Sequence, residues 1–157
     1  MKRANCVGIF FGLESGSDRV LTNIIDKKTN VQQIMKISEM VYNSGIPTVS
    51  SILFGLPDES KEDMDATLKV MKSIKTDIFD ISSFVPLPGG RLFDTLTEEE
   101  KNIDWSKVGF KSFNNYFSRR VSHEELKAFL SDAFQIADDL RKKTYLRHQA
   151  NLGLSSS

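Results

Sequence analysis

Three apolar runs in this 157-residue chain each end in a turn crowded with Gly, Pro and oxygen-bearing side chains. The turns are Gly12-Leu13-Glu14-Ser15-Gly16-Ser17-Asp18-Arg19, Phe54-Gly55-Leu56-Pro57-Asp58-Glu59 and Val85-Pro86-Leu87-Pro88-Gly89-Gly90. Their residue types suit binding more than bond making. Glu14 can accept hydrogen bonds from ligand hydroxyls, Ser15 and Ser17 can donate or accept them, and Gly16 lets backbone approach closely. Ser17 suits equally the cap of a helix that starts near Asp18. Arg19 can meet a carboxylate, or simply sit on a solvated helix start. Pro86 and Leu87 lie in a stiff segment whose carbonyls can accept from an amino group. The chain offers no general base or nucleophile pair, so no catalytic residue is assigned. The single cysteine, Cys6, reads as a small buried hydrophobe inside a strand, and His123 and His148 have no Cys or His partners at metal spacing. No metal ligand is assigned. Gly12, Gly16 and Gly55 form neither a GxGxxG nor a P-loop pattern.

The elements that must carry these turns follow from periodicity. A strand is expected from about Cys6 to Gly12, a short helix from Asp18 to Ile25, and a longer helix capped by Asn30. Gly45 suits the left-handed residue after that helix. A second strand spans about 46 to 54, with Pro47 tolerated at its start. Ser60 with Asp63 has the form of a capping box, and Met64, Leu68, Met71 and Ile74 mark the buried stripe of the next helix. A third strand runs from about Ile78 to Val85. Beyond it come a short helix near Leu92 to Leu96, a start at Thr97 with Glu100, and an aromatic stretch of Trp105, Phe110, Phe113, Tyr116 and Phe117 that reads as packing. A last box, Ser122 with Glu125, opens a long helix to about Gln149. The β-α-β-α-β order implies parallel strands joined by helical crossovers.

Composition narrows the rest. Lys plus Arg and Asp plus Glu both number 21, so there is no basic footprint for nucleic acid. Lys111, Arg119 and Arg120 read as a solvated face. No apolar run approaches the ~20 residues of a membrane span, no secretory leader is visible, and one cysteine forms no internal disulfide, so a cytoplasmic protein is expected. Met1-Lys2-Arg3-Ala4-Asn5 leads almost directly into a buried-type strand, which reads as the later portion of a larger fold.

Gly12 to Leu21, Gly45-Ile46, Gly55-Leu56-Pro57-Asp58-Glu59-Ser60 with Glu62-Asp63, and Pro86-Leu87-Pro88-Gly89 together resemble the second half of a radical S-adenosylmethionine enzyme. The closest branch is the one often fused to a cobalamin-binding domain. The resemblance covers residues 4 to 95. It implies an α/β fold, half of a partial (βα)6 TIM-like barrel over residues 1–96. Three parallel strands, with flanking helices, correspond to the fourth to sixth of the barrel. A C-terminal helical extension over 97–150 and a disordered tail over 151–157 follow.

The family holds a [4Fe–4S] cluster on a Cys-x3-Cys-x2-Cys loop, and this chain has no such loop. The resemblance therefore implies a fragment of an iron–sulfur oxidoreductase, inactive alone, in which S-adenosylmethionine and the cluster belong to the parent protein. Cobalamin would sit on a separate domain, and nothing would bind the fragment tightly. The cofactor contacts implied are Glu14, Ser15, Gly16 and Ser17 towards ribose, Arg19 towards the methionine carboxylate, Leu53 against adenine with Gly55 permitting the tight turn beside it, and Pro86 and Leu87 on its amino group. Ser51 and Leu53 depart from the family's Gly and Ile, Gly90 stands for the usual Thr, and either Asp58 or Glu59 fills the acidic position. The implied partners are an upstream cluster-binding half, an unknown substrate, and a second copy pairing through the open barrel edge. A stand-alone α/β ligand-binding or interaction module is the rival reading.

Overall fold

In the computed structural model, which describes residues 1–112 and 115–151, the three apolar runs become β1 (Ile9–Glu14), β2 (Thr48–Phe54) and β3 (Ile78–Ser83). They form one parallel sheet in the order β1-β2-β3. The crossovers are α1 (Val31–Asn43) and α2 (Lys61–Ser73), each started by a reciprocal capping box, Asn30 with Gln33 and Ser60 with Asp63. Two short helices, α3 (Arg91–Asp94) and α4 (Glu98–Lys101), and the long α5 (His123–Asn151) follow. This is the open α/β half-barrel with a helical extension that the resemblance implies.

Alternation along the strands gives the sheet two unlike faces. Leu13, Ile52, Phe54, Phe79 and Ile81 join Ile34 of α1, Met64, Leu68 and Met71 of α2, and Leu126, Leu130 and Ala133 of α5 in one core. The opposite face carries Phe10, Gly12, Val49, Ser51, Leu53, Ile78, Asp80 and Ser82, all half-buried or exposed. A smaller apolar cluster of Val20, Ile24, Leu56 and Phe84 sits beside Leu53 and Phe117, with the Phe84 and Phe117 rings edge to face at 6.0 Å.

Several boundaries move. β1 starts at Ile9, not Cys6, because Ile9 donates to the Pro47 carbonyl and β2 offers no strand partner below that point. Cys6 therefore lies ahead of the strand, half-buried, with its thiol on the Gly8 carbonyl. The expected helix over 18–25 is a π-helical turn, Val20–Ile24, closed by the Ile25 amide on the Val20 carbonyl at 2.9 Å. β3 ends at Ser83, and there residues 109–112 run alongside it. Ser83 donates through its amide to the Phe110 carbonyl and through its hydroxyl to the Ser112 carbonyl. The outer edge of β1 has no neighbouring strand among the described residues. α5 does not fold over that edge; it packs on α2 and β3. Phe113 and the tail 152–157 lie outside the described residues.

Candidate functional site

The register of β1 against β2 shifts between Gly12 and Glu14, so Leu13 drops into the core and Glu14 takes a left-handed backbone with φ of 65°. A non-glycine residue there is strained and needs its surroundings to hold it. The Glu14 carboxylate turns back over Gly12: a Cβ added at Gly12 would stand 2.0 Å from Glu14 Oε1. Ser51 of β2 donates to that oxygen at 3.3 Å, and Lys27 Nζ lies 3.7 Å from it while also donating to the Gly12 carbonyl. This half-buried carboxylate lies beside Ser51 of the open face, next to the row in which Gly12, Ser51 and Asp80 pair in register. At the β3 end of the row, Lys111 bonds Asp80, the Ile81 carbonyl and Ser82.

Ser15, Gly16, Ser17 and Arg19 turn the other way, into the start of α2. Ser15 is fully buried and shares a hydrogen bond with the Thr67 hydroxyl at 3.1 Å. The Gly16 amide donates to that same hydroxyl at 2.9 Å, and a Cβ at Gly16 would come within 2.6 Å of the Ala66 carbonyl oxygen and of Thr67 Cα. Ser17 donates to Asp63 Oδ1 at 2.6 Å, so its hydroxyl serves α2 and reaches the Val20 amide only at 3.4 Å. Arg19 straddles the Asp63 carboxylate and donates to the Asp58 carbonyl at 2.8 Å. Burial alone would raise Asp63, but hydrogen bonds from Arg19, Ser17 and Ser60 outweigh it and hold the carboxyl far below its usual range.

The second turn answers which acid is internal. Glu59 is fully buried, and its Oε2 accepts from the Gly55 amide at 2.8 Å and the Leu56 amide at 3.3 Å. Its Oε1 has no hydrogen-bond partner, and burial pushes the carboxyl up to about 8 against the pull of those two amides. Gly55 has φ of 83° and passes under Leu126, whose Cδ2 would lie 3.1 Å from an added Cβ. Asp58 is exposed and faces Arg119 at 3.8 Å. Leu53 rests on the smaller apolar cluster. In the third turn Pro86 is buried, and Leu87, half exposed, borders a cleft of about 280 Å³ with Ile25, Phe84 and Leu92. The Leu87 carbonyl accepts from the Gly90 amide at 3.0 Å.

The structure thus gathers Glu14, Ser51 and Lys27 on the open face and sends its neighbours to brace a helix. Lys27 carries no signal in the sequence: it follows the turn by spacing that no simple motif records. Among the described residues no group of three or more His, Cys, Asp or Glu could hold a metal ion, so the described part of the chain does not fit a cluster as ligand donor. The Glu14 carboxylate, 29% exposed on a strained backbone, has the chemistry of a hydrogen-bond acceptor. No helix among the described residues is long and apolar enough to cross a membrane.

The fold is an open parallel α/β half-barrel, and comparison with known proteins gives the family. Residues 1–71 match the model of the Radical SAM superfamily. The chain is 33% identical over 137 residues to an uncharacterized methyltransferase of Pyrococcus horikoshii, covering 83% of this chain and 30% of that protein. It is 34% identical over 121 residues to a tRNA-2-methylthio-N(6)-dimethylallyladenosine synthase of Actinobacillus pleuropneumoniae serotype 7, covering 73% and 23%. An anaerobic magnesium-protoporphyrin IX monomethyl ester cyclase of Rubrivivax gelatinosus is 23% identical over 109 residues, covering 69% and 20%. The chain belongs to the radical SAM superfamily. It spans less than a third of the length of each of these relatives.

Proposed function

We propose that this chain forms the ribose and adenine side of an S-adenosylmethionine pocket in a radical SAM iron–sulfur protein. The observation that carries the reading is the Glu14 carboxylate, held in a strained backbone at the end of β1 and turned onto the open face. Glu14 accepts from the ribose hydroxyls, Leu53 supports the base, and the Pro86–Leu87 segment borders its amino edge. Ser15, Gly16, Ser17 and Arg19 contribute by fixing the strand end against α2, which keeps Glu14 in place. Bound beside a reduced [4Fe–4S] cluster, S-adenosylmethionine would take one electron from it and supply a 5′-deoxyadenosyl radical, with methionine as the leaving group. The thiolates for that cluster come from a separate cluster-binding half, since one cysteine cannot supply three. The turn motifs, through their resemblance to cobalamin-associated members, extend the reading to a cobalamin domain elsewhere in the parent protein. This chain's part is positioning.

The test is calorimetric titration of the chain with S-adenosylhomocysteine. Weak binding is expected, lowered by Glu14→Ala and left alone by Lys107→Ala, an exposed lysine paired with Asp104. Equal responses from the two variants would overturn the assignment.

A further inference from the structure

We propose that Lys27 is a positioning residue whose ammonium holds the Glu14 carboxylate in the orientation that receives ribose hydroxyls. The inference rests on the reading of Glu14 above. A glutamate side chain has three rotatable bonds and, at a solvated strand end, samples many orientations. Here it occupies one niche, and the niche exists because residue 12 has no side chain. A Cβ at Gly12 would meet Glu14 Oε1 at 2.0 Å and Lys27 Nζ at 2.9 Å.

Two groups hold the carboxylate. Ser51 is neutral and its bond is long, 3.3 Å. Lys27 is charged, and its ammonium is itself tied to the Gly12 carbonyl, so the anchor does not move with the group it holds. Its backbone is tied as well. The Lys27 amide donates to the Leu21 carbonyl at 2.7 Å, and Asp26 just before it takes a left-handed φ of 60°. Glu14 at 65° is the other half of this pair of strained positions, so the chain bends unfavourably on both sides of the contact to bring it about. The two side chains keep only 28% and 29% of their exposure, which leaves the attraction less screened than in a surface pair. Both contacts fall on Oε1. Among the described residues none falls on Oε2, which is the oxygen left to accept from a ligand.

The experiment is an NMR titration of the full 157-residue chain with adenosine and with 2′,3′-dideoxyadenosine, which lacks the hydroxyls. Wild type is expected to prefer adenosine. Glu14→Ala and Lys27→Met should each lose about tenfold of that preference, the scale of one hydrogen bond to a charged group. Lys27→Arg should restore most of it, and the double variant should lose no more than Glu14→Ala alone. A role confined to stability would weaken both ligands alike. Loss with Glu14→Ala but not with Lys27→Met overturns the inference and leaves the reading of Glu14 standing. So does a Lys27→Met effect on S-adenosylhomocysteine that is absent for adenosine, since Lys27 would then meet the amino-acid end directly. If wild type shows no preference, or Glu14→Ala keeps it, the reading of Glu14 falls and this inference with it. Should Lys27→Met fail to fold, Gly12→Ala fills the same niche with a methyl, and a retained preference there counts against the proposal.

Discussion

At the scale of single residues, two positions account for much of the rim's rigidity. Gly16 lies where a β-carbon would stand 2.6 Å from backbone atoms of Ala66 and Thr67, and backbone cannot step aside as a flexible side chain can. Gly16→Ala should therefore cost about 2 kcal/mol or more, seen as a lower urea midpoint. Glu59 has the opposite kind of constraint: it fits its site best uncharged. Its folded pKa of about 8 lies above its ordinary 4.5, so the folded state keeps a proton that the unfolded chain releases. The stability it supports is full below about pH 4.5 and is lost as pH rises through 8. Asp63 runs the other way, its depressed pKa giving stability above 3.8 that disappears as pH falls. The urea midpoint should thus decline on both sides of a mildly acidic maximum. Glu59→Gln should flatten the alkaline limb and leave the acid limb as it is; an unchanged alkaline limb would remove Glu59 as its source.

At the scale of elements, the start of α2 is the joint between two βα units. Asp63 closes the capping box with Ser60 and also receives Ser17 and Arg19 from the β1 side. Breaking it removes a cap and an interelement contact together, so Asp63→Ala should cost about 2–3 kcal/mol. A double-mutant cycle with Arg19→Ala should give a coupling near 1 kcal/mol. A coupling within error of zero would mean that the guanidinium contributes nothing to the joint, its 39% exposure letting water compete. The helix starts at Asn30, Ser60, Thr97 and Ser122 were all legible, because a cap is a local arrangement spanning four residues, while the reciprocal half of the Asn30 box, from Gln33, came from the structure. The limits of β1 were not. A strand extends only as far as its neighbour, and β2 begins at Thr48.

For the whole molecule the open side matters most. Among the described residues β1 presents an unpaired edge, and Val7 and Phe10, at 89% and 63% exposure, stand out where Ile9 and Phe11 are half-buried. Edges of this kind recruit strands, and apolar patches drive association. The purified chain is expected to self-associate, most simply as a two-fold dimer through the open sides. Light scattering after size exclusion at low micromolar concentration checks this, and a clean 17.7 kDa monomer would overturn it. Anaerobic reconstitution with iron and sulfide should leave the chain without a stable cluster absorbance, because a single thiol cannot hold one.

The α/β class, the parallel crossovers and the three strand-end turns were readable from periodicity and from residues close together in the chain, whereas the order of the strands in a barrel came from the family resemblance. Hydrophobic alternation, caps and glycine-rich turns are local, and each states its own geometry. The division of labour within the first turn was not readable. Glu14 and Ser15 are adjacent, yet one faces the open side and the other is buried against Thr67, fifty-two residues away. A one-residue bulge at β1 makes that choice, and it arises from the fit of β1 to β2. Glu59, next to an exposed Asp58, is fully buried. Its carboxyl accepts from Gly55 within the turn, but the cover over that turn is Leu126 of α5, which arrives only when distant segments pack together.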